Sequence, residues 1–235
     1  MIRRLQKQRN GKKNNNNLVV GVAIIAVILL SAGGYITYQN TVSSHVSEIN
    51  GELRSLSPVS SAGLAGNLTS VNGILWSVNG KPVVFFVGGE FCPFCAAESW
   101  PVAAFLSHYG SFTRVDFITS SEGSISAISF YGTSYTSPSI YFIGLEIAGQ
   151  NRQPLQGMIP YEQLIFNEYD PQHTVPFLDI ANQYVLIGSQ VPPSLLSGMS
   201  QQQILAAIGS NSTLSSYMGN AEYYISQAYN ESLAE

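Results

Sequence analysis

Glu90-Phe91-Cys92-Pro93-Phe94-Cys95-Ala96-Ala97-Glu98 holds both cysteines of a 235-residue chain, three positions apart. Immediately before it, Lys81-Pro82-Val83-Val84-Phe85-Phe86-Val87-Gly88-Gly89 is a short apolar run, β-branched and aromatic and bounded by Pro and Gly, the pattern of a buried central strand. After it, Ala96, Ala97, Trp100, Ala103, Ala104 and Leu106 recur at helical spacing from Cys95 to about His108, and Gly110 supplies a stop. Pro93 suits a first helical turn, because the N–H it lacks would have no intrahelical partner there.

The cysteine pair reads as a redox site. Zinc normally takes four ligands, and the chain has no further cysteine to offer. A purely structural disulfide closing so short a loop adds little chain-entropy stabilisation, since that gain grows with loop length. Two alternatives stand beside the redox reading: a redox-inert binding module with a stapled fold, and copper(I) held by Cys92, Cys95 and His173, because soft thiolates suit that metal.

Strand, Cys-x-x-Cys and helix in this order resemble the opening of the thioredoxin superfamily. The resemblance covers about Pro82 to Gly209 and implies an α/β fold, a central mixed sheet flanked by helices. It implies that Cys92 lies at the mouth of the helix, where unpaired N–H groups and the positive end of the macrodipole favour a thiolate, lowering its pKa from ~8.5 into the range ~3.5 to ~7.5. Cys92 is then the nucleophile and Cys95 the resolving thiol, cycling between dithiol and Cys92–Cys95 disulfide with no cofactor. Val175-Pro176, ahead of Phe177-Leu178-Asp179-Ile180 and the strand Tyr184-Val185-Leu186-Ile187-Gly188, occupies the place of the superfamily's cis proline. Pro176 therefore joins the site. An extended cysteine-bearing peptide is expected to pair with the Thr174-Val175 edge and lay apolar side chains over Phe91, Phe94 and Phe177; the alternative for these aromatics is that Phe177 belongs to the core, the preferred reading of that residue, while Phe94 is exposed by its place between the cysteines.

The superfamily often carries a buried acid on the strand before the cysteines, as proton acceptor for the resolving thiol, but here that strand has none. Glu98 or Glu90 could substitute, though each also reads as a solvated surface carboxylate. The anchor described next, Cys-Pro-Phe-Cys and Pro-Phe-Leu-Asp-Ile are similar to an uncharacterised archaeal family of membrane-anchored thioredoxin-like proteins, a domain of unknown function.

Residues 1–17 carry six of the ten basic residues and no acid, and residues 18–38 carry no charge. Twenty-one such residues are long enough to cross ~30 Å of hydrocarbon as a helix. The charge bias predicts a single-pass anchor with the amino terminus in the cytoplasm and the rest outside; a cleaved secretory signal ending near Ala32-Gly33-Gly34 is the competing reading. Beyond the anchor, only Arg54, Lys81, Arg114 and Arg152 face all fourteen carboxylates, four against fourteen for a formal −10, which argues against a nucleic-acid partner. The expected partners are cysteine-containing exported proteins or a membrane redox partner. Asn67-Leu68-Thr69, Asn211-Ser212-Thr213 and Asn230-Glu231-Ser232 are weak glycosylation patterns on the external side. Only 10% of residues are charged, a surface suited to an acidic exterior, where carboxylates protonate and ion pairs are lost.

Residues 39–72 read as a stalk with a weak helical pattern at Val46, Ile49, Leu53 and Leu56, and 73–235 as the thioredoxin-like domain with an insertion over about 121–172. Asn79-Gly80 is a turn. Phe112 to Thr119 is expected to be a second strand parallel to the first, completing a βαβ unit. Ser124–Tyr131 and Ser139–Ile147 then form an inserted hairpin. Helices are expected from Pro160 to about Tyr169, Leu195 to Ile208 and Leu214 to Leu233.

Overall fold

Val83 to Val87 are all fully buried, because the strand that carries them has a hydrophobic layer on each face. In the computed structural model, which describes residues 43–60, 64 and 68–234, this strand is β3 (Lys81–Gly88). The expected cytoplasmic segment and span at 1–38 lie outside the described residues. Among those described, no helix is long and apolar enough to cross a membrane.

The described chain runs in the order helix α1 (43–54), β1 (Thr69–Ser70), β2 (Ser77–Val78), β3, α2 (Pro93–Tyr109), β4 (Ser111–Thr119), β5 (Ser126–Thr136) and β6 (Tyr141–Glu146). It closes with α3 (Pro160–Tyr169), β7 (Phe177–Ile180), β8 (Tyr184–Ile187), α4 (Gln201–Ile208) and α5 (Thr213–Ser232). β3 pairs antiparallel with β7 on one side, β7 with β8 and β8 with β1. It pairs in parallel with β6, and β2 meets its first residues through the Asn79-Gly80 turn. Val84, Phe86, Leu178 and Ile180 pack into one core with α2, α4 and α5. Val83, Phe85, Val87 and Phe177 pack into another with Trp76 and with Ile165 and Phe166 of α3. This mixed sheet flanked by helices is compatible with a thioredoxin-like fold.

Five expectations are corrected. β4 is not the parallel partner of β3: it pairs antiparallel with β5 in a separate two-stranded sheet, and β6 takes the place beside β3. A strand in that place carries apolar side chains toward both cores, Phe142 packing on the first and Ile143 and Leu145 on the second. Phe142-Ile143-Gly144-Leu145 meets that demand, whereas Arg114 on β4 is exposed. The hairpin is consequently β4–β5, and β6 and α3, expected inside an insertion at 121–172, belong to the main sheet and the layer over it. Within the expected stalk, Ile49, Leu53 and Leu56 are buried in the first core. Asn50 there accepts from the Phe112 N–H and donates to the Phe112 carbonyl, both at 2.9 Å, while Arg54 donates to the carbonyls of Ser107 and Gly110 at the end of α2. The expected helix 195–208 is split into a 3₁₀ turn at Pro193–Leu195 and α4.

Glu98, Glu146, Asp179 and Glu222 are 0%, 3%, 0% and 1% exposed. Each accepts one or two hydrogen bonds through one carboxylate oxygen, and the other oxygen is buried with no hydrogen-bond partner among the described residues. Burial therefore pushes their pKa values up, Glu98, Asp179 and Glu222 to about 7 and Glu146 to about 8. An acid whose folded pKa is raised stabilises the fold below its unfolded pKa, and that contribution is lost as pH rises through the folded value. Urea unfolding should accordingly show the protein at least ~2 kcal/mol more stable at pH 5 than at pH 8. A flat profile between those values would contradict the burial of these groups as neutral acids.

Candidate active site

β3 ends at Gly88, and Gly89-Glu90-Phe91 delivers the chain to the start of α2. Cys92 is the residue that caps this helix, with φ −86° and ψ 122°. Its N–H donates to the Gly89 carbonyl at 2.9 Å, and its Sγ accepts from the Cys95 N–H at 3.3 Å. A sulfur in the place of a capping oxygen thus satisfies a donor that the first turn would otherwise leave unpaired. The Val175-Pro176 peptide is cis, as expected from its place in the sequence, and the Val175 carbonyl lies 3.7 Å from Cys92 Sγ. Both cysteines are free thiols.

The two thiols differ in their hydrogen bonds more than in exposure, which is 6% for Cys92 and 3% for Cys95. Hydrogen bonding from the Cys95 side chain, aided by the backbone N–H groups of Cys95 and Phe94, brings the Cys92 pKa down to about 7 against the opposing effect of burial and of Glu122. Burial pushes Cys95 well above the ordinary thiol range, and the Cys92 thiolate and Glu146 push the same way. Cys92 is the thiol able to ionise near neutral pH.

Glu146 is the buried acid that β3 lacks. It stands at the end of β6, in parallel register with Gly88. A side chain at Gly88 would put its Cβ 2.8 Å from Glu146 Oε2, so the glycine is what admits the carboxylate. Phe130 N–H donates to its Oε1 at 3.3 Å. A cavity of about 10 Å³, near the size of one water, is lined by Cys92, Cys95, Glu90, Glu146, Ile118 and Ile128.

The expected site residues separate. Phe94 is 52% exposed beside the cysteines, and Thr174 and Val175 lie on the segment that meets Cys92 Sγ. Phe91 is covered by the Arg152 guanidinium, 4.0 Å above its ring. Phe177 is not a substrate surface: it is fully buried, its side chain pointing from β7 into the core against Phe85 and Phe166. Glu98 is not a surface carboxylate either; it is fully buried, bound to Ser189 and the Gln190 N–H, and is not among the residues that line the cavity. Glu90 accepts from Ser129 Oγ at 2.9 Å while lining the cavity. His173 is tied to α3, its Nε2 2.6 Å from Asn167 Oδ1 and its ring stacked on Phe166. Among the described residues no three His, Cys, Asp or Glu side chains are grouped to hold a metal, so the copper set Cys92, Cys95 and His173 is not assembled.

Glu146, Glu122 and Arg152 escaped the reading of the sequence. For Glu146 a signal existed: one carboxylate at the end of the apolar run Tyr141-Phe142-Ile143-Gly144-Leu145.

The fold and site together define an α/β domain with a Cys-x-x-Cys pair at a helix N-terminus beside a cis proline. Residues 67–175, which contain the cysteine pair and end at Val175, match the family described as "Domain of unknown function (DUF929)". No curated protein and no solved structure matches the chain.

Titration of the thiols by ultraviolet absorbance and alkylation rate should show Cys92 ionising near pH 7 and Cys95 far above it. Glu146→Gln removes a neighbouring negative charge from Cys95, so the upper of the two transitions should move down. An upper transition that stays in place would remove Glu146 from the electrostatics of the pair.

Proposed function

We propose that this protein is a thioredoxin-like thiol–disulfide oxidoreductase of exported proteins, an oxidant or isomerase held at the outer face of the cell membrane by residues 18–38. The observation that carries this reading is the capping of α2 by Cys92 Sγ, with the cis Val175-Pro176 carbonyl facing the same sulfur. The capping bond favours the thiolate, and a thiolate is what exchange requires.

In the oxidising direction, a substrate thiolate attacks Cys92 of the Cys92–Cys95 disulfide. A mixed disulfide forms, and the Cys95 thiolate leaves. A second substrate thiolate then breaks the mixed disulfide and leaves Cys92 as thiolate, so the substrate gains a disulfide while two electrons pass to the protein. A disulfide-carrying membrane partner would restore the starting state by the reverse steps. Glu146, which lines the same small cavity as Cys95 and whose pKa burial raises to about 8, would exchange a proton with Cys95 as that sulfur leaves or attacks. The Thr174 N–H is taken by Asp170 and the Pro176 carbonyl by the Gly188 N–H, so an extended substrate would pair with the Thr174 carbonyl and the Val175 N–H, and Phe94 offers it an apolar contact.

Cys92→Ser should abolish exchange. Cys95→Ser should still react with a peptide disulfide and then stall as a mixed disulfide through Cys92, since the chain has no third thiol to release it. Mass spectrometry of the trapped species reads this directly. An adduct formed by Cys92→Ser and not by Cys95→Ser would reverse the roles, and no adduct with either would end the oxidoreductase reading.

A further inference from the structure

Two loops meet at the entrance to α2. Residues 120–125 form a tight turn, closed by the Ser120 N–H on the Ile125 carbonyl at 2.8 Å and by Ser120 Oγ on the Glu122 carbonyl at 2.7 Å. The Glu122 N–H donates to the Phe91 carbonyl at 3.1 Å, the carbonyl of the peptide bond that leads into Cys92. Gly123, at φ +73°, lies so near the helix that a Cβ there would stand 3.1 Å from Pro93; its conformation and its closeness both favour glycine. The second loop follows β6 and is fastened to the end of β3 by the Ile147 N–H on Gly88 and the Glu90 N–H on Ala148, each at 2.9 Å. It presents Arg152. Nε of Arg152 donates to Glu122 Oε1 at 2.9 Å, Nη2 donates to the same oxygen, and the guanidinium plane covers Phe91. Ser121 Oγ donates to the Gln150 carbonyl and joins the loops a second time.

The pair is therefore fixed in place yet open to solvent, with 60% of the Arg152 side chain and 49% of Glu122 exposed. Among the described cations, Arg54 and Lys81 are spent elsewhere on backbone carbonyls, and Arg114 lies on β4. Arg152 is the cation at this wall, and Glu122 matches its charge. Glu90 and Glu146 line the cavity behind the cysteines. Of the two members of the pair, Glu122 is the one that acts on the Cys92 thiol, opposing its ionisation. With Glu90 on the cavity wall and Glu122 tied to the Phe91 carbonyl, against the single cation Arg152, the formal charge of the ionised side chains bordering the nucleophile is negative, Glu146 being held as a neutral acid.

We infer that Glu122 and Arg152 set the charge selectivity of the site: Glu122 makes Cys92 favour disulfides flanked by basic residues over those flanked by acids, and Arg152 holds that preference in check. The inference rests on the oxidoreductase reading for its biological meaning, while the selectivity itself belongs to any reaction of the Cys92 thiolate.

The test uses the full chain carrying Cys95→Ser, so that an adduct on Cys92 persists. It compares a cationic trimethylammonium-ethyl with an anionic sulfonatoethyl methanethiosulfonate. In either reaction the Cys92 thiolate attacks the sulfenyl sulfur, a mixed disulfide forms, the S–SO₂ bond breaks, and methanesulfinate leaves with the electron pair. Rates are normalised to 2-mercaptoethanol. At low salt the cationic reagent should win by about tenfold, and the ratio should fall toward one in about 1 M salt. Adding Glu122→Gln should lower the ratio at least about threefold, and adding Arg152→Gln should raise it, because Glu122 would then be unmatched. A parent ratio of one, variants that leave it unchanged or move it in the same direction, or no adduct at all would overturn the inference. Inactivity toward protein disulfides together with the expected ratios would count against the proposed function alone. Exchange activity with a ratio of one would count against the charge selectivity alone.

Discussion

The burial of β3 on both faces is the constraint from which the rest of the arrangement follows. Five consecutive apolar side chains, Val83 to Val87, all fully buried, require a layer above and a layer below the sheet. α2, α4 and α5 supply one, and α3 with Trp76 the other. Because α2 must turn back onto the sheet directly after β3, the loop between them is short and its last residue becomes the helix cap. Cys92 is that residue, and its chemistry comes from the place: a sulfur facing the free N–H groups of a first turn, next to the segment that leads into β7. Parallel pairing of β3 with β6 brings Glu146 to the same end of the sheet, in register with a glycine that leaves room for it.

The stability of the fold and the chemistry of the site draw on one habit, the burial of carboxyl groups with no lysine or arginine paired to them among the described residues, Glu222 having only His108 nearby, its Nε2 at 3.9 Å. Glu98, Glu146, Asp179 and Glu222 are each bonded through one oxygen. The neutral acid is the form such surroundings favour. A chain with 10% charged residues, whose interior prefers protonated acids, suits an acidic medium better than a basic one. At the cysteines the same preference keeps Glu146 near the pH at which it can give or take a proton. The β4–β5 excursion adds the remaining feature of the site, because its tight turn and the loop after β6 place an ion pair next to the nucleophile.

Much of this was legible in the residues. The apolar run, Cys-x-x-Cys and the following helical spacing identified β3, Cys92 and α2, because each is a local pattern that burial or capping imposes on consecutive residues. The Val-Pro step before Phe177 marked the segment opposite Cys92 for a similar reason. Elsewhere the local pattern existed but its partner did not follow from it. Phe112 to Thr119 alternates as a strand should, yet alternation is silent on which strand it pairs with, and the place beside β3 went to β6, which carries apolar side chains toward both cores. Ile49, Leu53 and Leu56 had helical spacing, but only packing showed that they complete the core and are not part of a stalk.

The sequence by itself determined the covalent chemistry available, two thiols three residues apart, and the strand and helix on either side, since these depend on neighbours in the chain. The tertiary structure alone decided which carboxylate meets the thiols, which aromatic rings stay open and which charges border the nucleophile. Glu146, Glu122 and Arg152 lie 54, 30 and 60 positions from Cys92 and come to it through sheet register and loop closure. Phe177 and Glu98 lie near the site in chain order but turn away from it into the interior. Proximity between such residues depends on long-range pairing, and a residue type at a given position carries no record of the strand or loop it will face.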